Sequence, residues 1–302
     1  MQHQTPVFLP ADELPFERLV QAWNDAYEGY FVPLRFTEDM LRRHMARAGA
    51  DLHRSRVLEV DGAPAGVSLA ACRADRGYIA GFGIAAPRRR QGLARALIDE
   101  QLRVLRAAGI AQVQLEVIEQ NPARQLYAGA GFAEQRLLLV LDGSLPEVGA
   151  AEGIALDAAA LRSAHQRLNA AARPTWRREW ATVHDALQLP DVQAVGVVDG
   201  AGTQAYAVLQ VAAGKLALLD AAAADQVAAT RLLDVLARRH PGAAWRLVDE
   251  PEDTPLARPP RRPGRVRCCG RWRCSCSSEV RRLSSEVRWV SAEVRRLASE
   301  VR

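Results

Sequence analysis

Cysteine, membrane-length apolar runs and acidic residues near the C-terminus are what this chain has least of. Only five of its 302 residues are cysteine. Cys72 stands alone in the first half, so no disulfide framework is expected and a reducing cytoplasm is the default compartment. The other four, Cys268, Cys269, Cys274 and Cys276, read C-C-x4-C-x-C, which lacks the paired spacing of a zinc knuckle, and no metal site is expected. No apolar run approaches the roughly 20 residues a membrane helix needs, and no secretion-signal pattern is seen.

The excess of positive charge is local. The chain carries +5 overall, but thirteen arginines against four glutamates put +9 on residues 258–302 and leave residues 1–257 at −4. Within that tail, residues 257–278 hold seven arginines, no acid and no apolar periodicity, a composition that favours weak structure. Clustered arginine could also neutralise nucleic-acid phosphates, although no nucleic-acid motif accompanies it. The last stretch repeats every seven residues. Val280, Val287, Val294 and Val301 fall at one heptad position, Leu283, Val290 and Leu297 three residues later, and Glu279, Glu286, Glu293 and Glu300 just before, which predicts a helix able to self-associate. A solitary fraying helix is the alternative.

The richest local signal is P-R-R-R-Q-G-L-A, residues 87–94, set between the strand-like YIAGFGIA and the amphipathic ARALIDEQLRVL. Strand, basic loop and helix in that order place the unpaired first amides of a helix, at the positive end of its dipole, where an anion can collect several hydrogen bonds. Gly92 lets backbone approach a phosphate closely, and Arg88, Arg89 and Arg90 surround it with fork-shaped donors. Downstream, Gly109 stops the helix, Val113, Leu115 and Val117 alternate as a strand, and Asn121-Pro122 opens a short helix carrying Tyr127 and ending near G-F at 131–132.

With both landmarks on the page, the chain resembles the GNAT superfamily of acyl-CoA-dependent N-acyltransferases. Arg89-x-x-Gly92-x-Ala94 matches the family's Arg/Gln-x-x-Gly-x-Gly/Ala loop, and N-P-A-R-Q-L-Y followed by G-F matches its second landmark. The resemblance implies a mixed α/β (α+β) fold with a mostly antiparallel sheet flanked by helices, and acetyl-CoA as co-substrate. It assigns Arg89, Arg90, Gln91, Gly92, Leu93 and Ala94 to the pyrophosphate, and Phe82, Gly83, Ile84, Ala85 and Asn121 to the pantetheine arm. It makes Tyr127 the acid that protonates the departing thiolate, with a packing aromatic as the alternative. The amine acceptor needs a base or an ordered water. Glu116 and Glu119 border the expected slot on opposite strand faces; Glu116 is taken as the candidate base, and a solvated carboxylate is the alternative for each. Tyr27, Tyr30 and Phe31, in Y-E-G-Y-F-V-P between two predicted helices, are candidates for substrate contact or for a hydrophobic latch. Thr37 is expected to cap the second helix, and D-G-A-P to turn a hairpin.

Residues 150–257 read as a second, worn and truncated copy of the domain spanning 1–145. Its junction L-D-A-A-A-A-D-Q has lost both glycine and arginine, and Asp220 and Asp225 would repel a diphosphate. That copy is expected to buttress the first or to wall its acceptor pocket, with Trp176, Arg177, Arg178 and Trp180 as candidates and core anchoring as the alternative for the tryptophans. Three functional classes follow: an N-acetyltransferase acting on a small-molecule or peptide amine, a CoA-binding pseudo-enzyme acting through a partner, and a tail-driven nucleic-acid or self-association protein.

Overall fold

The computed structural model describes residues 6–32, 34–212 and 214–258, and the backbone of two strands in the tail. Contacts divide the chain into two units: Met1–Gln135 with Val290–Arg302, and Arg136–Trp289.

In the first unit β1 (Val7–Pro10) leads into α1 (Phe16–Ala26) and α2 (Glu38–Ala48), followed by β2 (Arg56–Val60), β3 (Ala63–Arg73), β4 (Arg76–Ile84), α3 (Leu93–Ala107), β5 (Gln112–Ile118), α4 (Ala123–Gly129) and the start of β6 (Ala133–Ser144). Local chemistry explains the boundaries. Thr37 accepts from the Met40 amide and caps α2, which closes on left-handed Gly49. Asp61 and Gly62, with φ of 58° and 72°, make the tight β2–β3 turn. The short β1 escaped the hydrophobic pattern; it pairs antiparallel with β2, Val7 opposite Glu59.

Strands β1 to β4 form an antiparallel sheet, and β5 joins β4 in parallel across α3. Their pairing runs only from Arg76–Gln112 to Ile79–Leu115, after which both strands continue without pairing each other. A register shift where Leu69 faces Gly81 and Ala70 faces Ile79 leaves Ala80 as a bulge at that point. Helix α1 lies close on β4 because the strand offers glycine there. A Cβ on Gly81 would sit 2.3 Å from the Trp23 ring, and one on Gly83 would sit 3.0 Å from Ala26. Leu58, Val60, Ala65, Ile84 and Leu97 form part of the buried core, with Phe82, Leu93 and Ala94 packed against them.

The second unit repeats the plan. β7 (Ile154–Ala155), α5 (Ala158–Leu168), α6 (Trp180–Ala186), β8 (Val192–Asp199), β9 (Gly202–Ala212), β10 (Lys215–Ala223), α7 (Gln226–Arg239) and β11 (Ala244–Pro251) follow the order of the first, with β10 and β11 again parallel. No further strand follows β11 in the second copy's sequence. Its outer edge is instead paired antiparallel by β6, from Ala244 opposite Ser144 to Pro251 opposite Leu138. Leu139, Leu141 and Leu145 thereby enter the core of the second unit beside Val195, Leu232 and Leu247.

In the tail, β12 (Arg281–Arg282) pairs with β6 and β13 (Arg288–Arg295) is extended. The heptad expectation of a helix is therefore corrected over these residues. Valine and tryptophan in R-W-V-S-A-E-V-R carry strand preference, and serine at heptad positions adds no helix-stabilising pair. The remaining heptad positions, the cysteine cluster and most of the arginine-rich stretch lie outside the described residues. Among the described residues no helix is long and apolar enough to cross a membrane.

Candidate active site

The loop between β4 and α3 carries the site's most distinctive feature. Arg90 and Gly92 adopt positive φ, 61° and 80°, and Gly92 is the N-cap of α3 without any side-chain cap. The amides of Arg88 and Arg89 turn back onto Ala85 and Ala86, and the helix ladder starts with the Arg95 and Ala96 amides on Gly92. Between them, the N–H groups of Arg90, Gln91, Gly92, Leu93 and Ala94 meet no acceptor among the described residues. Five consecutive donors at the positive end of a fifteen-residue helix form an anion cradle, and the space beyond Gly92 is open, with nothing within 4 Å of where its Cβ would stand.

The arginines divide their labour differently from expectation. Arg90 is exposed beside the cradle. Arg88 pairs with Asp61 at 3.0 Å. Arg89 does not surround the loop with charge. Its Nε donates to the Ile84 carbonyl at 2.9 Å, and its Nη2 donates to the Ala26 and Glu28 carbonyls at 3.1 and 2.8 Å. Carbonyls at the C-terminal end of α1, the negative end of its dipole, attract a guanidinium, so Arg89 stitches α1 to the loop. The strand residues assigned to the pantetheine arm are also partly engaged. The Ala85 amide donates to Ala65, Gly83 packs under Ala26, and the Phe82 amide donates to the Tyr27 hydroxyl at 3.0 Å.

Around the unpaired ends of β4 and β5 the structure brings together Tyr27, Tyr30, Phe82, Asn121 and Tyr127. Tyr27 stacks on Trp23 with ring centroids 4.4 Å apart and meets Tyr30 edge-on at 5.2 Å. Phe82 packs edge-on against Tyr127, which in turn meets Phe132. The Asn121 Oδ1 accepts the Ala123 amide at 2.9 Å, opening α4. Burial, reinforced by the Tyr27 and Tyr30 hydroxyls beside it, pushes the Tyr127 phenol above its usual pKa, so it keeps its proton. Phe31 extends the ring series at 5.4 Å from Tyr30 and is half exposed.

Glu116, half-buried on β5, accepts from the Tyr78 hydroxyl at 2.6 Å. Tyr78 went unnoticed in the sequence; the bulge at Ala80 puts it on the strand face of Gly81, opposite to that of Phe82. Glu119 lies past the end of β5, where its carbonyl accepts from Arg124. His44 was also missed; its Nε2 lies 2.9 Å from the carbonyl of the bulged Ala80.

In the second unit the equivalent places are filled by the protein itself. Asp225 caps α7, its carboxylate accepting from the Ala228 amide, so an acid sits where the first unit leaves donors open. Asp220 does not face that loop. It is wholly buried, accepting from Arg178 Nε at 2.8 Å and from the Tyr206 hydroxyl at 2.7 Å. Arg178 also donates to Glu250 and to the Ala221 and Asp249 carbonyls, and Thr254 donates to Glu250. Arg177 pairs with the buried Asp249 at 2.7 Å. Trp176 and Arg178 are buried inside their own unit, where Arg178 lines a small cavity with Asn169, Ala222 and Thr254; Trp180 packs on His165 there.

Residues 27–144 match the family model of the acetyltransferase (GNAT) domain. Among solved structures, the chain is similar to a GCN5-related N-acetyltransferase from Sphaerobacter thermophilus, at 16% identity and TM-score 0.62, over 96% of this chain and 95% of that one. It is also similar to a putative acetyltransferase from Pyrococcus horikoshii, at 12% identity and TM-score 0.59, over 98% and 90%. A tandem GNAT protein from the clavulanic acid biosynthesis pathway aligns at 13% identity and TM-score 0.58, over 96% and 98%. At these identities the likeness shows the fold. Comparison with curated protein sequences returns no match.

Proposed function

From the membership of residues 27–144 in the GNAT acetyltransferase domain family, we propose that this chain transfers an acetyl group directly from acetyl-CoA to a primary amine of a small molecule or peptide. One observation carries the reading: five consecutive backbone amides, Arg90 to Ala94, stand without an acceptor at the start of α3. That donor set, with an open approach at Gly92, fits a diphosphate. Acetyl-CoA supplies an acyl group already activated as a thioester. The protein's part is to bind, orient and move protons. The cradle amides and Arg90 hold the diphosphate, and the Phe82 amide is aimed to hold a carbonyl oxygen beyond the last β4–β5 pair. Tyr127, kept protonated by burial, stores a proton for the leaving sulfur. Glu116, held by Tyr78, accepts the amine proton directly or through water. Tyr30 and Phe31 face the acceptor.

The second unit is read as a GNAT-like module that has given up cofactor binding, because Asp225 caps its helix start and Arg178 with its partners fills its wedge. The test is release of free thiol from acetyl-CoA by the purified full-length chain against pooled amines. No release with any amine, together with measurable CoA binding, favours the pseudo-enzyme reading instead. Removal of residues 258–302 leaves acetyl transfer intact if the tail has a separate role in nucleic-acid binding or self-association.

A further inference from the structure

Arg178 and its partners fill the wedge of the second unit incompletely. Strands β10 and β11 stop pairing after Leu218 and Leu247, and beyond its bulge β10 carries Ala221, Ala222 and Ala223 where the first unit has Phe82, Gly83 and Ile84. Those short side chains leave a cavity of about 30 Å³, room for a head group the size of a water or an ammonium. Leu168, Ala222, Pro251, Pro255 and Leu256 give it apolar walls; Asn169, Arg178, Glu250 and Thr254 give it a polar edge, and the exposed Arg173 stands at its rim. We propose that this cavity is an amino-acid site. The ammonium group of a small aliphatic amino acid enters against Asn169 and Glu250, and its carboxylate stays at the rim on Arg173.

Three observations point to that chemistry. First, Asn169 is only 7% exposed, and its amide is fixed in orientation because Nδ2 donates to the His165 carbonyl at 3.1 Å and to the Tyr206 hydroxyl at 2.8 Å. Its Oδ1 is the polar atom left for the cavity, and it accepts nothing among the described residues. A buried amide oxygen calls for a donor, so the missing partner carries an N–H or O–H group. Second, the charges behind it favour a cation. Arg177 and Arg178 meet three buried acids, Asp220, Asp249 and Glu250, while the His165 ring beside Asp220 is turned onto the Arg178 carbonyl. Burial holds the Glu250 carboxyl above its usual pKa, as expected of an acid with too little positive charge around it. Third, the rim supplies the opposite sign. Arg173 makes no ion pair or side-chain hydrogen bond among the described residues, and its amide donates to the Asn169 carbonyl at 3.0 Å in a left-handed turn with φ of 47°. A single turn of chain thus presents an unmet acceptor and an unmet guanidinium to one cavity, which matches the ammonium and carboxylate of one amino acid, with Pro255 and Leu256 left for its side chain.

The experiment is calorimetric titration of the full chain, without CoA, with glycine, L-alanine, L-valine and L-leucine. Isobutylamine and 2-hydroxyisovalerate serve as analogues lacking the carboxylate and the ammonium. Saturable binding of at least one amino acid, about ten-fold tighter than either analogue, is expected. Arg173→Asn suits the left-handed turn, removes the charge and should weaken that binding about ten-fold. Ala172→Leu, at another lining position, plugs the cavity and should abolish binding, with a melting curve to check its fold. No binding by the wild-type chain up to about 10 mM overturns the site and leaves the cavity to water. Binding that either variant leaves unchanged also overturns it, because the amino acid then sits elsewhere, the acceptor place of the first unit included. Equal binding of either analogue overturns the amino-acid assignment. With no CoA present, none of these outcomes depends on the acyltransfer reading.

Discussion

Replacing Arg178 by methionine is the sharpest probe of how the second unit is held together. The guanidinium is 3% exposed and bonds Asp220 and Glu250, themselves 0% and 1% exposed. Methionine fills much of the volume but leaves two carboxylates in an apolar interior. Stranding one buried charge costs about 3–5 kcal/mol. The cost per carboxylate is capped near 4 kcal/mol at pH 7, because the group can take up a proton about three pH units above its ordinary value, at about 1.4 kcal/mol per unit. Tyr206 and Thr254 still donate to the two acids, so a net loss of about 5 kcal/mol is expected, close to the whole stability of many domains. The sign with pH follows from linkage. Burial already raises the Glu250 pKa with Arg178 beside it; loss of the guanidinium raises it further, so the folded variant binds a proton that the unfolded chain has released and the deficit shrinks as pH falls toward the unfolded value near 4. Urea unfolding of both proteins at pH 7.5 and pH 5.5 measures it. A loss below about 1 kcal/mol, or a deficit that does not change between the two pH values, would show that Arg178 is not carrying buried charge.

Arg90→Ala should weaken CoA binding several-fold and flatten its salt dependence, whereas Arg89→Ala should lower thermal stability, because its three backbone bonds tie α1 to the loop; titration calorimetry and a melting curve separate the two, and equal effects on affinity would contradict the commitment of Arg89 to these carbonyls. Tyr127→Phe should lower kcat at least ten-fold with little change in CoA affinity, and the wild-type rate should show no alkaline fall-off from this phenol below pH 10, because burial raises its pKa; a Tyr127-dependent limb near pH 9 would remove it as the proton donor. A fragment starting at Arg136 should unfold cooperatively while one starting at residue 150 should not, since β6 and the residue after it bring Leu139, Leu141 and Leu145 into the core at about 1.5–3 kcal/mol each; circular dichroism during urea titration distinguishes them, and equal stability would dismiss β6 as the edge strand.

The legible parts of the chain were those decided by neighbours in sequence. Thr37 and Gly49 bracket α2, Asp61-Gly62 turns the β2–β3 hairpin, and Gly109 stops α3, each through chemistry confined to four or five residues. The cradle was legible for the same reason, since a glycine N-cap without a side-chain acceptor exposes its amides whatever surrounds it. Arg89 was not, because its guanidinium chose between a loop three residues away and carbonyls some sixty residues upstream. The Tyr78–Glu116 pair and the use of β6 as an edge for β11 likewise depend on pairings separated by tens to a hundred residues. β1 was missed because four residues reading V-F-L-P give no periodicity to count.

The two units close one backbone plan with different side chains. In each, a parallel pair ends after four residues per strand, Ile79 with Leu115 in one and Leu218 with Leu247 in the other, and a bulge follows in the longer strand. That divergence leaves backbone groups unpaired, and buried backbone groups must find partners. In the first unit the Phe82 amide meets the Tyr27 hydroxyl and the Ala80 carbonyl meets His44; in the second, Arg178 donates to the Ala221 and Asp249 carbonyls and is itself held by two acids. Loss of the tyrosine hydroxyl forfeits hydrogen bonding alone, while loss of an ion-paired guanidinium strands charge in the interior. The helix starts follow the same division, with Gly92 leaving five donors uncommitted and Asp225 satisfying its own. The same strands thus close with neutral hydrogen bonds in one unit and with buried ion pairs in the other.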